Sequence, residues 1–303
     1  MTDITAEARP GATPEGGEAI RHDAGWRMIL RAFVENKLAL AGLILVVAVV
    51  LFCFVGPLFY HTNQVATNLL LVNERPGAKH PLGTDNLGYD ILGRLMAGGQ
   101  SSLEVGFAVA LVATVIGVLY GVISGFFGGL ADTILMRFVD ILLAIPVVYL
   151  FIDLATEFKP TLVLLILVLS LLSWLGPARL VRGETLSLRV REYVEAVRTM
   201  GGRSGRIIIR HLVPNTVGTI VVNATFQVAD AISILAVLSY FGFSLPPPTA
   251  TWGGMLENGV NFLYDGYWWE IYPAGLMIVL TVVAFNFIGD GLRDSLDVRL
   301  QRR

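Results

Sequence analysis

Apolar runs long enough to cross a bilayer alternate with polar segments along the whole chain. Six stand out: Leu38–Tyr60, Ser102–Ser124, Thr133–Ala155, Pro160–Ala178, Val217–Tyr240 and Ile271–Asp290. A helix crosses the hydrocarbon core in about 20 residues. In lipid the backbone must satisfy its own hydrogen bonds, so each run is expected to be a helix. The pattern therefore predicts an all-α, polytopic membrane protein with six transmembrane helices. Before the first run, Met28–Lys37 alternates as a short amphipathic helix with Arg27, Arg31 and Lys37 as interfacial anchors. Met1–Gly25 is rich in Thr, Ala, Glu, Gly and Pro and has almost nothing to bury, so disorder is expected there. Its length, and that of the first apolar run, argue against a cleaved signal peptide.

Composition agrees with this pattern. Of the 303 residues 54% are hydrophobic and 15% charged, against about a quarter charged in ordinary soluble domains. Mean hydropathy is +0.67. A net charge of −2 offers no basic surface for nucleic acid. The placing of Lys and Arg sets the expected orientation. With the N-terminus inside, the inner segments 1–37, 125–132, 179–216 and 291–303 hold 17 of them; the outer segments 61–101, 156–159 and 241–270 hold 4. Both termini are thus expected in the cytoplasm. Trp252, Tyr264, Tyr267, Trp268, Trp269 and Tyr272 then fall at the outer interface, where such rings collect.

One inner segment is more than a basic loop. In "REYVEAVRTMGGRSGRIIIRHLVPN", Arg191–Asn215, residues Tyr193, Ala196, Val197 and Met200 follow i, i+3, i+4, i+7 and form one apolar face. Gly201-Gly202 is expected to end that helix through a left-handed residue. Ser204 is placed to cap a second helix, which Pro214 is expected to stop. The segment reads as two short helices at an angle between two spans.

Glu195-Ala196-Val197, three residues, Gly201, nine residues and His211-Leu212-Val213-Pro214 resemble the EAA loop of ABC importer permeases, E-A-A-x3-G-x9-I-x-L-P. Val197, His211 and Val213 depart from that pattern. "HPLGTDNLGYDILGRLMAGGQSSL", His80–Leu103, is similar to the segment before the second span in the C-type permease of the dipeptide/oligopeptide family, with Tyr89 where that family usually has Arg. "VLTVVAFNFIGDGLRDSLDVRL", Val279–Leu300, is similar as well. The resemblance covers about residues 26–300. It implies the type I ABC importer architecture, with 186–215 as the coupling loop. Tyr193, Glu195, Ala196, Val197, Met200, Gly201 and Pro214 would then serve docking on a cytoplasmic ATPase. It also implies the division of the chain: a tail at 1–25, an N-terminal helix, span and outer segment at 26–101, a permease core at 102–291 and an inner tail at 292–303. The implied partners are a homologous B-type permease, ABC ATPase subunits carrying ATP and Mg, an extracytoplasmic binding protein, a di- or oligopeptide and the bilayer. Nickel or another small solute is the alternative cargo within the same family.

The chain itself shows no nucleotide site. The three lysines, Lys37, Lys79 and Lys159, stand in Asn-Lys-Leu, Ala-Lys-His and Phe-Lys-Pro, none of which fits a P-loop. His22, His61, His80 and His211 lie in separate segments without ligand spacing. An enzyme is not expected, nor any cofactor or metal on this chain. Cys53, the one cysteine, reads as a small buried hydrophobe. Polar groups inside the spans are costly and need a partner or a wet cavity. Asn223, Gln227 and Asp230 share one face of the fifth span at i, i+4, i+7. They read either as the wall of a substrate path or as a hydrogen-bonding seam to a neighbouring helix. Arg137 and Asp140 stand one turn apart, spaced to pair. The remaining class, an ion-coupled secondary transporter, often carries inverted repeats and broken helices. No repeat is visible here, and six spans is few for that class.

Overall fold

The computed structural model describes residues 24–146, 149, 153 and 157–301. Among them the regular structure is helical. The N-terminal helix α1 (Ala24–Glu35) leads through Asn36 into α2 (Lys37–Phe54). Asn36 Oδ1 accepts from the N–H groups of Leu38 and Ala39, which caps α2. A one-turn helix, α3 (Gly56–Phe59), follows. Then come α4 (Ile91–Phe127), α5 (Gly129–Leu143), α6 (Leu162–Ser173), α7 (Leu175–Leu188), α8 (Glu192–Thr199), α9 (Ser204–Ile207), α10 (Val213–Tyr240), α11 (Trp252–Val260) and α12 (Tyr272–Gln301).

Five stretches are long and apolar enough to cross a membrane: Lys37–Phe54, Ile91–Phe127, Leu162–Leu188, Ser204–Tyr240 and Trp268–Leu296. They match the first, second, fourth, fifth and sixth predicted spans. The inner part of the third is α5, which ends at Leu143 ahead of Pro146. The rest of Thr133–Ala155 includes residues 147–148, 150–152 and 154–155, which lie outside the described residues, as do residues 1–23 of the expected disordered tail.

The helices overrun the apolar runs. With 37 residues, α4 is about 55 Å long, well beyond the hydrocarbon core. Its first 11 residues, about three turns, fall in the segment expected to be an outer loop. Asp90 starts it there by accepting from Gly93 N–H at 2.8 Å. In the same way α12 continues into the expected inner tail. The fourth span is broken at Trp174 into α6 and α7.

Three of the apolar clusters inside the bundle are built on α4, while α1, α2 and α12 share a further one through Phe33, Ala39 and Ile288. At the end far from the α8–α9 hairpin, Ile91, Leu95, Leu103 and Ala110 join Val49 and Cys53 of α2, Val228, Ala229 and Ile232 of α10, Trp252 of α11 and Phe285 of α12. On another side Val105 and Val109 meet Leu165 and Leu169 of α6 and Leu235 of α10. Further along, Ala113 meets Val139 of α5 and Leu175 and Ala178 of α7. Contact with α7 is especially close. Gly117, Gly121 and Gly125 recur every fourth residue, and a Cβ on any of them would strike α7 at Pro177, Ala178 or Thr185. Small residues at this spacing let two backbones approach inside a membrane. Cys53 is fully buried in the first cluster.

Candidate functional site

The hairpin begins at Glu192, whose helix α8 carries Glu192 and Glu195 in its first turn and Arg198 in its last, as the helix dipole favours. Its end is a Schellman turn. Gly202 N–H donates to Val197 O at 2.9 Å and Gly201 N–H to Arg198 O at 3.1 Å. Gly201 has φ +79°, the expected left-handed conformation. The second helix departs from the expectation twice. Ser204 is the first residue of α9 rather than its cap; Arg203 holds the cap position, with no side-chain hydrogen bond. Nor does Pro214 stop the helix. It sits in the first turn of α10, preceded by a π-turn over Ile208–Leu212 in which Val213 N–H reaches back to Ile208 O. Proline has no N–H to offer Arg210 O, so the ladder loosens by one residue and the helix runs on into the fifth span.

The apolar face of α8 divides. Val194 and, partly, Val197 turn inward onto Phe126 of α4, Ile207 and Leu212. Tyr193, Ala196 and Met200 stay on the outside with Glu195, and Met200 is 78% exposed. The Tyr193 ring lies 6.4 Å from that of His211. From the π-turn Ile209 adds a second exposed apolar side chain. The hairpin therefore shows solvent a small apolar surface over a core that it shares with Phe126 of α4.

On α10 the three polar residues part company. Gln227 is buried, and its Nε2 donates to Ser173 O at 2.6 Å. That carbonyl is free because its helical partner would be Pro177, which has no N–H. Gln227 thus satisfies the break between α6 and α7. Asp230 is exposed and has no hydrogen bond or ion pair among the described residues. Asn223 points its Oδ1 into a buried spot without a donor. Beside Thr219, one buried oxygen of Glu184 on α7 is likewise unpaired. Helices α7 and α10 thus each carry a buried oxygen without a hydrogen-bond partner, on Glu184 and on Asn223.

Asp140 does not take Arg137. It pairs with Arg179 of the neighbouring helix α7. Nearby Asp132, in the first turn of α5, accepts from Arg182 Nε at 2.5 Å and Nη2 at 2.6 Å. The Arg182 guanidinium holds the Asp132 carboxyl below the usual carboxylate range. Arg189 Nη1 donates to Gly125 O at 3.0 Å and Phe126 O at 3.4 Å. The members of these two ion pairs lie 39 and 50 residues apart, beyond the reach of helical spacing.

At the opposite end, Tyr89 is buried. Its OH donates to Val65 O at 3.2 Å, and Arg94 stacks over its ring at 4.4 Å. Asp85 faces Arg94 Nε at 3.8 Å. Burial pushes the Asp85 carboxyl up, against the pull of backbone N–H groups and Arg94. Glu270 lies nearby, 2% exposed, with neither carboxylate oxygen hydrogen-bonded.

Comparison with known proteins gives a consistent picture. Residues 117–302 match the family described as binding-protein-dependent transport system inner membrane component. Residues 25–76 match the N-terminal TM domain of oligopeptide transport permease C. The chain is 40% identical over 277 residues to the oligopeptide transport system permease protein OppC of Bacillus subtilis (strain 168), covering 91% of this chain and 90% of that one. Identity to the dipeptide transport system permease protein DppC of the same organism is 39% over 272 residues, covering 90% and 85%. To the OppC protein of Escherichia coli (strain K12) it is 40% over 274 residues, covering 90% of both chains.

Proposed function

This chain belongs to the family of binding-protein-dependent transport system inner membrane components, and we propose that it is the C-type permease subunit of an ABC importer for di- or oligopeptides. It crosses the membrane several times. With a homologous B-type permease it encloses the path. The hairpin lies on the cytoplasmic side with both termini, the side where Lys and Arg concentrate. ATP and Mg belong to separate ATPase subunits, since no P-loop lysine occurs in this sequence. An extracytoplasmic binding protein delivers the peptide. Relatives named for oligopeptide and dipeptide transport favour this cargo over nickel.

One observation carries the reading: a hairpin seated on a core shared with Phe126 of α4 that still leaves Tyr193, Ala196 and Met200 exposed at the end of the bundle. Exposed apolar side chains over a rigid support suit a protein partner. In this reading the ATPase cleft closes on them, and the movement alternates the access of the path. Asn223 and Asp230 line that path, while Gln227 holds α10 to α6.

Replacing Ala196 tests the docking surface, because Ala196 is exposed and a longer side chain there costs the hairpin core nothing. With Ala196→Arg, co-purification of the ATPase subunits should fall while membrane insertion stays intact. Co-purification and uptake equal to wild type would remove the hairpin from the interface.

A further inference from the structure

A coupling element is useful only if its displacement reaches the bundle. The covalent route runs through α7 before the hairpin and through α9 and the π-turn into α10 after it. The structure holds a third, non-covalent route. We infer that Arg189 is a positioning residue that fastens the end of α7, three residues ahead of the hairpin, to the end of α4, so that the α4–α5 turn and the hairpin that α7 leads into move as one body; this rests on the coupling role proposed above.

The chemistry is that of a helix end. The last four carbonyls of α4 have no helical donors. Gly128 N–H takes Ser124 O at 3.0 Å. Arg189, at the C-cap of α7 and three residues before α8, supplies Gly125 O and Phe126 O from one guanidinium nitrogen. A cation is favoured at this end of the helix dipole. The turn is shaped around that group. Gly128 has φ +64°, and a Cβ there would collide with Arg189 Nη1.

Two further contacts hold the same body together. Phe126, 7% exposed, packs with Val194, Ile207 and Leu212 and lies under the Arg198 guanidinium at 5.7 Å. Asp132 ties the other side of the turn to α7 through Arg182 and accepts from Ser124 Oγ. Because α4 also contributes to the three clusters inside the bundle, whatever moves its end moves the centre of the molecule. Arg189 lies ahead of the helix that carries the exposed docking face. Its role is to pass displacement on.

The test uses the full complex in proteoliposomes, with the second permease, the ATPase subunits and peptide-loaded binding protein. Arg189→Ala is expected to keep ATPase co-purification and unstimulated hydrolysis. Stimulation by loaded binding protein and uptake should fall about fivefold or more, the scale of a lost coupling energy. Arg189→Lys keeps the charge and one donor and should recover part of the loss. A physical readout accompanies this: spin labels at Leu130→Cys and Ser204→Cys, both exposed, after removal of Cys53. In the otherwise wild-type complex their separation should stay the same in nucleotide-free and ATP-trapped states, and Arg189→Ala should broaden it. A separation that changes with nucleotide in the otherwise wild-type complex would overturn the inference. So would stimulation in Arg189→Ala within about twofold of wild type, far short of a lost coupling energy. If no ATPase associates even with wild type, the coupling reading has failed instead. The label distances in the nucleotide-free protein then judge the attachment alone: broadening on Arg189→Ala supports it, and none overturns it.

Discussion

At the residue scale, Gly201 and Gly202 are neighbours with different constraints. Gly201 needs its left-handed φ, but a Cβ there would meet nothing within 4 Å. Gly202 would place a Cβ 2.6 Å from Val197 Cγ1 and 2.7 Å from Val197 O. Gly201→Ala is therefore a clean conformational probe, costing about 1–2 kcal/mol in that conformation, whereas Gly202 substitutions also disturb packing. Gly205 has open space and lies inside α9, so Gly205→Ala is the proper control. We expect Gly201→Ala to assemble with its partners yet respond several-fold less to loaded binding protein in an ATPase assay, roughly the change that such a strain implies. Gly205→Ala should behave as wild type. Equal responses in the two variants would make Gly201 an ordinary loop residue.

Gly201 was legible in the sequence because a helix end makes a local demand that one glycine answers. Gln227 was not. Its partner is a carbonyl freed by Pro177, 50 residues away, and nothing periodic links the two positions. The same limit hid Arg189 and the Asp132–Arg182 pair. It also led to the expectation that Asp140 pairs with Arg137, its near neighbour, when the cation it meets is Arg179 on another helix.

At the scale of the elements, apolar run length located the spans but not the helix ends. A helix leaves the membrane without a change of backbone, so α4 and α12 continue where their sequences turn polar. The Gly117, Gly121, Gly125 stripe marks which face of α4 meets α7. It stands in plain view in the sequence, though the partner helix does not. Periodicity placed Tyr193, Ala196, Val197 and Met200 on one face of α8, and a helix of 8 residues resting on a core divides that face between inside and outside. The i, i+4, i+7 face of α10 divides likewise, since Gln227 meets a neighbouring helix while Asp230 is exposed. This separation is measurable. In an assembled complex lacking Cys53, Asp230→Cys should react with a small polar thiol reagent and change its rate with nucleotide state, while Gln227→Cys stays protected. Equal protection at both positions would make the whole face a seam.

At the scale of the molecule, the arrangement is a bundle built on one long helix, with an apolar-faced hairpin fastened to its end. Family membership gives the class of machine, and the exposed hairpin face is the place where we propose that force enters. Neither requires a nucleotide site in this chain. The central claim is that transport here is driven by separate ATPase subunits acting through the hairpin and triggered by a peptide-loaded binding protein. The most direct measurement reconstitutes this chain with its natural partners and follows ATP hydrolysis and peptide accumulation in the same proteoliposomes. The account predicts that loaded binding protein raises hydrolysis and that peptide accumulates only when ATP and the ATPase subunits are present. Peptide uptake driven by an ion gradient without the ATPase subunits would contradict it.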